Sequence, residues 1–198
     1  MRIEPVILEG LFVRLEPLRG DHLPDLIKVG MDESLWKWTS VDIKTESDLQ
    51  RYVREALTDQ ALGVALPFVT IESSTGTIVG STRFGNIDEP NRKVEIGWTW
   101  INPRWQRTAI NTEAKLLMLT HAFEDWGCIR VELKTDSNNV KSRNAMKRLG
   151  ATEEGTHRNH MITESGRIRH SVFFSIIDSE WAEVKAGLVA KLAEPRAE

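Results

Sequence analysis

The sequence contains little cysteine, and neither charge sign dominates it. Cys128 is the only cysteine in 198 residues, which excludes an internal disulfide and a multi-cysteine metal site and is typical of a reducing compartment. We therefore expect no metal and a cytoplasmic location. The formal charge of −3 comes from acidic and basic residues mixed along the chain, so no extended positive field attracts a polyanion. A nucleic-acid partner is not expected.

Long apolar runs are also absent. The first ten residues carry Arg2, Glu4 and Glu9 and lack the apolar core of a signal peptide, and no later run approaches the roughly 20 residues that span a membrane. We expect neither export nor a membrane partner. The chain length fits one domain over residues 1–198, in which 194–198 is predicted to be a frayed tail.

The hydrophobic periodicity predicts an α/β (α+β) fold with a mixed sheet. Apolar residues alternate with the period of a strand in about seven segments, and they recur with the period of a helix in five. The strands are predicted at 11–18, 64–72, 77–86, 93–101, 129–135, 152–163 and 167–177, and the helices at 21–30, 45–61, 111–126, 139–149 and 179–192. The three strands between 64 and 101 follow one another without a helix between them, so the order is not that of a doubly wound sheet.

The fourth predicted strand, at 93–101, is expected to carry two different faces. Period two places alternate side chains together: Val94, Ile96, Trp98 and Trp100 on one face, and Lys93, Glu95, Gly97 and Thr99 on the other. The strand leads into a loop and then into a helix, for which Asn111 is the candidate N-cap.

The start of this helix suits a phosphate or pyrophosphate group. Backbone N–H groups in a first helical turn lack partners, and the helix dipole places partial positive charge there. Arg104, Arg107 and Lys115 add full positive charges nearby. An ordinary strand-to-helix loop with solvated basic residues is the alternative explanation.

Six short motifs occur in a fixed order along the chain. They are VRLEPL at 13–18, EIGW at 95–98, FEDWG at 123–127, DSNNVKS at 136–142, LGA at 149–151 and EG at 154–155. In this order, and over nearly the whole chain, they resemble the Gcn5-related N-acetyltransferase (GNAT) superfamily, in the branch that includes the ribosomal-protein alanine and serine N-acetyltransferases. The resemblance implies a mixed, mostly antiparallel sheet of about seven strands, helices on both faces and a V-shaped split between strands four and five.

The resemblance also implies that acetyl-CoA binds at the start of the helix after the fourth strand. In the family, a Gln/Arg-x-x-Gly-x-Gly/Ala loop binds the CoA pyrophosphate through backbone N–H groups, and this register falls on 106–111. Gln106 matches the pattern, whereas Ala109 and Asn111 stand where glycine would allow the closest approach. The implied cofactor-binding residues are Ile101, Gln106, Arg107, Thr108, Ala109, Ile110, Asn111, Thr112, Asn139, Ser142 and Arg143.

A second cofactor contact is implied at 136–142, which resembles the Asp-x-x-Asn-x-x-Ser motif of the family. Asn139 would contact the pantetheine arm of CoA. The alternative is that Asn138 or Asn139 is simply a helix N-cap, and both roles can hold together.

The resemblance suggests which residues carry acetyl transfer. Glu95 lies on the strand where the family often uses a carboxylate as base, and a purely structural carboxylate is the alternative. The position of the family's tyrosine acid holds Met146, and the only tyrosine is Tyr52. Ser142 could instead donate a hydrogen bond to the departing sulfur. His160 is a further candidate base or proton shuttle because imidazole titrates near neutral pH, although a surface histidine is the alternative.

Acceptor binding has two groups of candidates. Trp36 and Trp38 lie in a segment that forms an acceptor wall in related folds, or they pack in the core. Arg158, Arg167 and Arg169 could bind an acidic acceptor, or they form the solvated face of a hairpin. The expected reaction moves an acetyl group from acetyl-CoA to a primary amine, either a small molecule or a protein N-terminus, by direct attack in a ternary complex. The alternative is a non-catalytic CoA-binding or homodimeric interaction protein.

Overall fold

The computed structural model describes residues 1–194 and contains one eight-stranded sheet. The strands are β1 Leu8–Glu9, β2 Val13–Pro17, β3 Leu66–Glu72, β4 Thr77–Asp88, β5 Lys93–Ile101, β6 Arg130–Asp136, β7 Thr152–Ile162 and β8 Ile168–Ile177, and the helices are α1 Leu23–Gly30, α2 Glu46–Ala61, α3 Ala109–Thr120, α4 Val140–Leu149 and α5 Trp181–Ala193. Their order in the sheet is β1-β2-β3-β4-β5-β6-β8-β7. The predicted mixed, mostly antiparallel sheet is confirmed, and the extra strand is the two-residue β1. The tail predicted at 194–198 lies outside the described residues, except for Glu194.

The apolar core forms two layers, one on each face of the sheet. On one face α3, α4 and α5 cover a cluster that includes Phe84, Met118 and Phe174. On the other face α1 and α2 cover a cluster that includes Leu49 and Trp100. The two sides of a strand therefore meet different helices. Within residues 1–194, no helix combines the length and the apolar character that crossing a bilayer requires.

β5 and β6 are parallel neighbours that separate along their length. They pair only from Lys93 and Arg130 to Glu95 and Glu132, although β5 continues to Ile101 and β6 to Asp136. Their carboxyl ends are therefore apart, which confirms the predicted V-shaped split. The α3 side of the split follows β5 in the chain, and the α4 side follows β6.

A β-bulge in β5 changes the face that each later residue occupies. Trp98 has a φ of +50°, and the pairing with β4 shifts between Ser81 and Arg83. Val94 and Ile96 consequently face the α3 layer, whereas Trp98 and Trp100 pack in the α1–α2 layer. The predicted alternation over the whole strand is wrong, because a bulge inserts one residue and exchanges the two faces.

A buried carboxylate ties the start of α3 to the N-terminal turn. Glu113 accepts hydrogen bonds from the backbone N–H groups of Leu11, Phe12 and Val13, at 2.9, 2.6 and 2.8 Å. A Cβ atom at Gly10 would lie 2.4 Å from Cδ of Glu113, so position 10 has no room for a side chain. The first turns of α3 are thereby fixed against the turn before β2.

Candidate active site

The loop between β5 and α3 is held by its own side chains. Asn102 accepts a hydrogen bond from the backbone N–H of Arg104 at 3.1 Å, and the Gln106 amide donates to the carbonyl of Ile101 at 2.7 Å. Gln106 also accepts a hydrogen bond from the ammonium group of Lys141 on α4. The loop is therefore connected to the helix on the opposite side of the split.

Helix α3 begins before the predicted N-cap, Asn111. The Thr108 backbone is extended, and its hydroxyl accepts a hydrogen bond from the N–H of Ile110 at 3.3 Å, which makes Thr108 the cap. Arg107 adopts a left-handed φ of +63° just before it. Asn111 already lies in the first helical turn, so its prediction as N-cap is wrong. Ala109, Ile110 and Thr112 are buried in this turn.

Helix α4 begins at the other side of the split with Asn139 as its N-cap. The Asn139 side chain accepts a hydrogen bond from the N–H of Ser142 at 3.0 Å, so the capping role that the sequence left open is present. Ser142 lies in the first turn. Arg143 reaches the Glu153 carboxylate at 3.2 Å and the Ser137 carbonyl at 3.4 Å.

Two helix N-termini therefore flank the split at the same edge of the sheet. Each carries partial positive charge and N–H groups that lack helical partners, a combination that binds phosphate oxygens. The exposed Arg104 and Arg107 and the Lys141 ammonium add full charges to this edge. The buried Ala109 has the small side chain that a close approach to the backbone needs. These residues fit the diphosphate and extended arm of CoA.

Lys115 is not part of this charged edge, contrary to the sequence prediction. It is only 5% exposed, and its ammonium group donates to the hydroxyls of Thr99 and Thr82, at 2.7 and 3.2 Å. Burial lowers the pKa of Lys115 to about 7. Lys115 lies inward because it is three and four residues before the buried Met118 and Leu119, and so shares the helix face that packs on the sheet.

Glu95 lies at the last paired residue of β5, where the split opens. It is 3% exposed, and its Oε2 atom accepts hydrogen bonds from Asn86 at 2.7 Å and from Lys134 at 2.9 Å. Oε1 accepts no side-chain hydrogen bond within residues 1–194. Sequence reasoning missed Lys134 and Asn86. The alternation in β6, which puts Lys134 on the same face as Asp136, was the available signal.

His160 lies on β7 beside an open cavity of about 880 Å³. Its Nδ1 is 3.0 Å from the Ser171 hydroxyl, and its ring packs edge-on against Phe173. Burial lowers the pKa of His160, and the nearby positive charges of Lys134 and Arg169 lower it further. The imidazole is therefore largely neutral near pH 7. Within residues 1–194, no group of three or more His, Cys, Asp and Glu side chains is placed to hold a metal ion.

The two candidate tryptophans have different surroundings. Trp36 is buried between Tyr52 and Trp100 and donates its ring N–H to the carbonyl of Gly30 at 2.8 Å, so it belongs to the core. Trp38 is half-buried, with the Arg167 guanidinium 5.4 Å from the centre of its ring. Trp38 alone remains a candidate for the acceptor wall.

The three candidate arginines also have different surroundings. Arg158 is exposed beside the open cavity. Arg167 forms an ion pair with the fully buried Asp136, at 2.6 Å between Nη1 and Oδ2. Arg169 is buried and donates from Nε to the Ser171 hydroxyl at 3.1 Å. The split therefore holds a polar cluster on its α1–α2 side that consists of Glu95, Lys134, Asp136, His160, Arg167, Arg169 and Ser171.

Comparisons with known proteins agree with this geometry. The Acetyltransferase (GNAT) domain family matches residues 13–152. A Bacillus subtilis (strain 168) protein named "Putative ribosomal N-acetyltransferase YdaF" is 29% identical in an alignment of 181 residues that covers 87% of this chain and 94% of that protein. A GCN5-related N-acetyltransferase from Brucella melitensis is 31% identical and has a TM-score of 0.89, over 96% of this chain and 87% of that chain.

A ligand-bound structure shares the fold. Mycobacterium smegmatis RimJ in complex with CoA-disulfide has a TM-score of 0.77 and 24% identity, over 94% of this chain and 92% of that chain. The relatives confirm the predicted resemblance to the ribosomal-protein N-acetyltransferase branch. The family match spans well over half of the residues, from β2 to the start of β7. The chain belongs to the GNAT acetyltransferase family and is an acetyl-CoA-dependent acyltransferase.

Proposed function

We propose that the protein transfers an acetyl group from acetyl-CoA to a primary amine by direct attack in a ternary complex. The observation that carries this proposal is the split between β5 and β6. Its outer edge carries two helix N-termini, and the Glu95 carboxylate lies at its inner end. The His160 imidazole contacts Ser171, which pairs with Asp136 at the carboxyl end of β6. One opening thus combines an anion-binding edge with two groups that accept protons.

The donor occupies the α3–α4 edge of the split in this proposal. The first-turn N–H groups of α3, from Ala109 to Thr112, would bind the diphosphate together with Arg107. Asn139 and Ser142 would line the pantetheine arm from the side of α4. The contact between Gln106 and Lys141 joins the two sides of the split. Ile101, Thr108 and Arg143 complete the proposed set.

Acetyl transfer requires a proton acceptor close to the amine. A nitrogen–carbon bond forms, the carbon–sulfur bond breaks, and one proton passes from the nitrogen while the sulfur gains one. Glu95 is the first candidate to take the proton, through its Oε1 atom. His160 is the second, because its lowered pKa leaves the imidazole neutral. The Ser142 hydroxyl would donate a hydrogen bond to the departing sulfur.

The acceptor is either a protein N-terminus or a small amine. The name of the Bacillus subtilis relative favours a ribosomal protein as one acceptor to test. We place the reaction in the cytoplasm, with the protein acting as a monomer or as a homodimer.

A CoA-binding protein without transfer activity is the second candidate function. Two observations favour it: Ala109 and Asn111 stand where glycine in the family loop would allow the closest approach, and Met146 stands at the position of the family's tyrosine acid. It predicts acetyl-CoA binding without any release of free thiol.

Calorimetric titration with acetyl-CoA, followed by a thiol-release assay, tests these candidates. Saturable one-to-one binding and amine-dependent thiol release are expected. Binding without release for any peptide or small amine would favour the second candidate. No binding at millimolar acetyl-CoA would overturn both.

A further inference from the structure

Arg169 is a buried cation without a carboxylate partner. Its side chain belongs to a residue that is 6% exposed, and its one hydrogen bond is from Nε to the Ser171 hydroxyl, at 3.1 Å. It forms no ion pair with any carboxylate of residues 1–194. The two terminal nitrogens bond no protein acceptor in that part of the chain, yet they keep contact with solvent. The guanidinium therefore presents unused N–H donors to the split.

The neighbouring carboxylates are already engaged. Asp136 is paired with Arg167 at 2.6 Å, and Glu95 is paired with Lys134 at 2.9 Å. Arg169 thus leaves one positive charge unbalanced. Burial lowers the pKa of Arg169, but a guanidinium keeps its charge in proteins, so the imbalance persists.

Another buried arginine of the same sheet, Arg83, shows how a buried positive charge is usually paired. Arg83 is 3% exposed, and it lies between the rings of Tyr52 and Trp98 with the Asp59 carboxylate 3.4 Å away. Burying a charge without a partner is strongly unfavourable, so buried cations are normally paired. The exception at Arg169 lies at the open end of the split, which indicates that its partner is a ligand.

Arg169 lies close to His160, the second candidate base. Ser171 bonds both Arg169 Nε and His160 Nδ1, at 3.1 and 3.0 Å, so one hydroxyl separates the guanidinium from the imidazole. Ser171 pairs in the sheet with Asp136, at the carboxyl end of β6. An anion bound by Arg169 therefore lies close to His160, one of the two groups proposed to take the proton from the amine.

We propose that Arg169 binds a carboxylate of the acceptor, so that the preferred substrate is an amine with a carboxylate a few bonds from its nitrogen. This inference rests on the proposed function, and it narrows the acceptor class. The planar fork of the guanidinium fits a carboxylate through two parallel hydrogen bonds. A free amino acid and a peptide with an acidic residue next to its N-terminus share this chemistry.

Matched substrate pairs test the proposal with acetyl-CoA as the only donor. The small-molecule pair is β-alanine, which has a carboxylate, and β-alaninamide, which has none. The peptide pair is Ser-Glu-Ala-Ala-amide, which has a carboxylate, and Ser-Gln-Ala-Ala-amide, which has none. In at least one pair, the wild-type kcat/KM should favour the carboxylate by roughly 10- to 100-fold, the range of a charge-assisted hydrogen bond. The pair that discriminates identifies the source of the carboxylate.

Three variants assign this preference to Arg169. Arg169→Met should reduce the ratio within the pair to about one, and Arg169→Lys should retain part of it, because the charge remains. The exposed Arg54 provides the control, and Arg54→Met should leave the ratio unchanged. Arg169→Met should not lower the melting temperature, since it removes a buried unpaired charge and breaks no ion pair.

Two outcomes would overturn the inference. One is a wild-type enzyme that acetylates both members of each pair equally well. The other is an Arg169→Met variant that keeps the preference of the wild type. If no amine is acetylated, the same pairs are titrated into the protein without donor. If Arg169→Met then loses the binding of the carboxylate compound, the anion site at Arg169 is supported although the proposed transfer function has failed. If the variant and the wild type bind it equally, the anion site is refuted.

Discussion

Replacing Lys115 with methionine is expected to stabilise the protein at neutral pH, by an amount that shrinks as the pH rises. Burial lowers the pKa of Lys115 to about 7, against about 10.4 in an unfolded chain. Below pH 7 the folded protein must hold a desolvated ammonium group, which costs about 5 kcal/mol of folding free energy. Its partners are two neutral hydroxyls, Thr99 and Thr82.

The sign of the pH dependence follows from the protons bound in each state. Between pH 7 and about 10.4, folded Lys115 has lost its proton and the unfolded chain still holds one, so stability rises with pH. The penalty falls to about 2 kcal/mol at pH 9. The stability advantage of Lys115→Met should therefore decrease by about 2 kcal/mol from pH 7 to pH 9.

Urea unfolding at several pH values measures this difference. Other groups, including the buried Cys128, titrate equally in both proteins and cancel in the comparison. Lys28→Met is the control, because Lys28 is exposed and pairs with the exposed Asp25. Its stability difference from the wild type should not change over this range. A constant difference for Lys115→Met would refute the reasoning, since it would mean that folding does not shift the pKa of this lysine.

Three further predictions concern the candidate active site. Glu95→Gln should lower kcat by roughly 100- to 10,000-fold, the usual contribution of a general base, and should leave the acetyl-CoA dissociation constant unchanged in calorimetry; unaltered turnover would remove Glu95 from the mechanism. Arg107→Gly keeps the left-handed backbone and removes the charge, so acetyl-CoA should bind more weakly, and salt should affect its binding less than in the wild type. Thr108→Ala and Thr45→Ala each remove a helix cap, so each should lower the unfolding free energy by about 1 kcal/mol. Only Thr108→Ala should also weaken acetyl-CoA binding. Equal acetyl-CoA affinity in the two threonine variants would place the donor elsewhere.

The strands and helices were predictable because their apolar residues repeat over many positions. The fourth predicted strand has the observed bounds, Lys93–Ile101, and α2 differs from its prediction by one residue. The bulge within β5 was not predicted, since both tryptophans fit a simple alternation. Gly97 was the one local signal, because glycine inside a strand often marks a bulge.

The polar cluster of the split could not be predicted as a set. Lys134, His160 and Arg169 come from three strands, and their proximity depends on β8 lying between β6 and β7. Sequence order alone does not fix that arrangement. The predicted N-cap of α3 was wrong for a local reason. Thr108 and Asn111 are both residues that cap helices well, and the left-handed backbone of Arg107 just before Thr108 decides between them.

The Glu113 contact joins positions about a hundred residues apart in the chain. During synthesis, the turn at Leu11–Val13 is made before α3, so its N–H groups cannot reach Glu113 until α3 has been synthesised. The contact between Glu113 and this turn forms only when the early segment docks on α3. The first dozen residues contain no candidate site residue, yet their removal would loosen the helix end that is proposed to bind the donor.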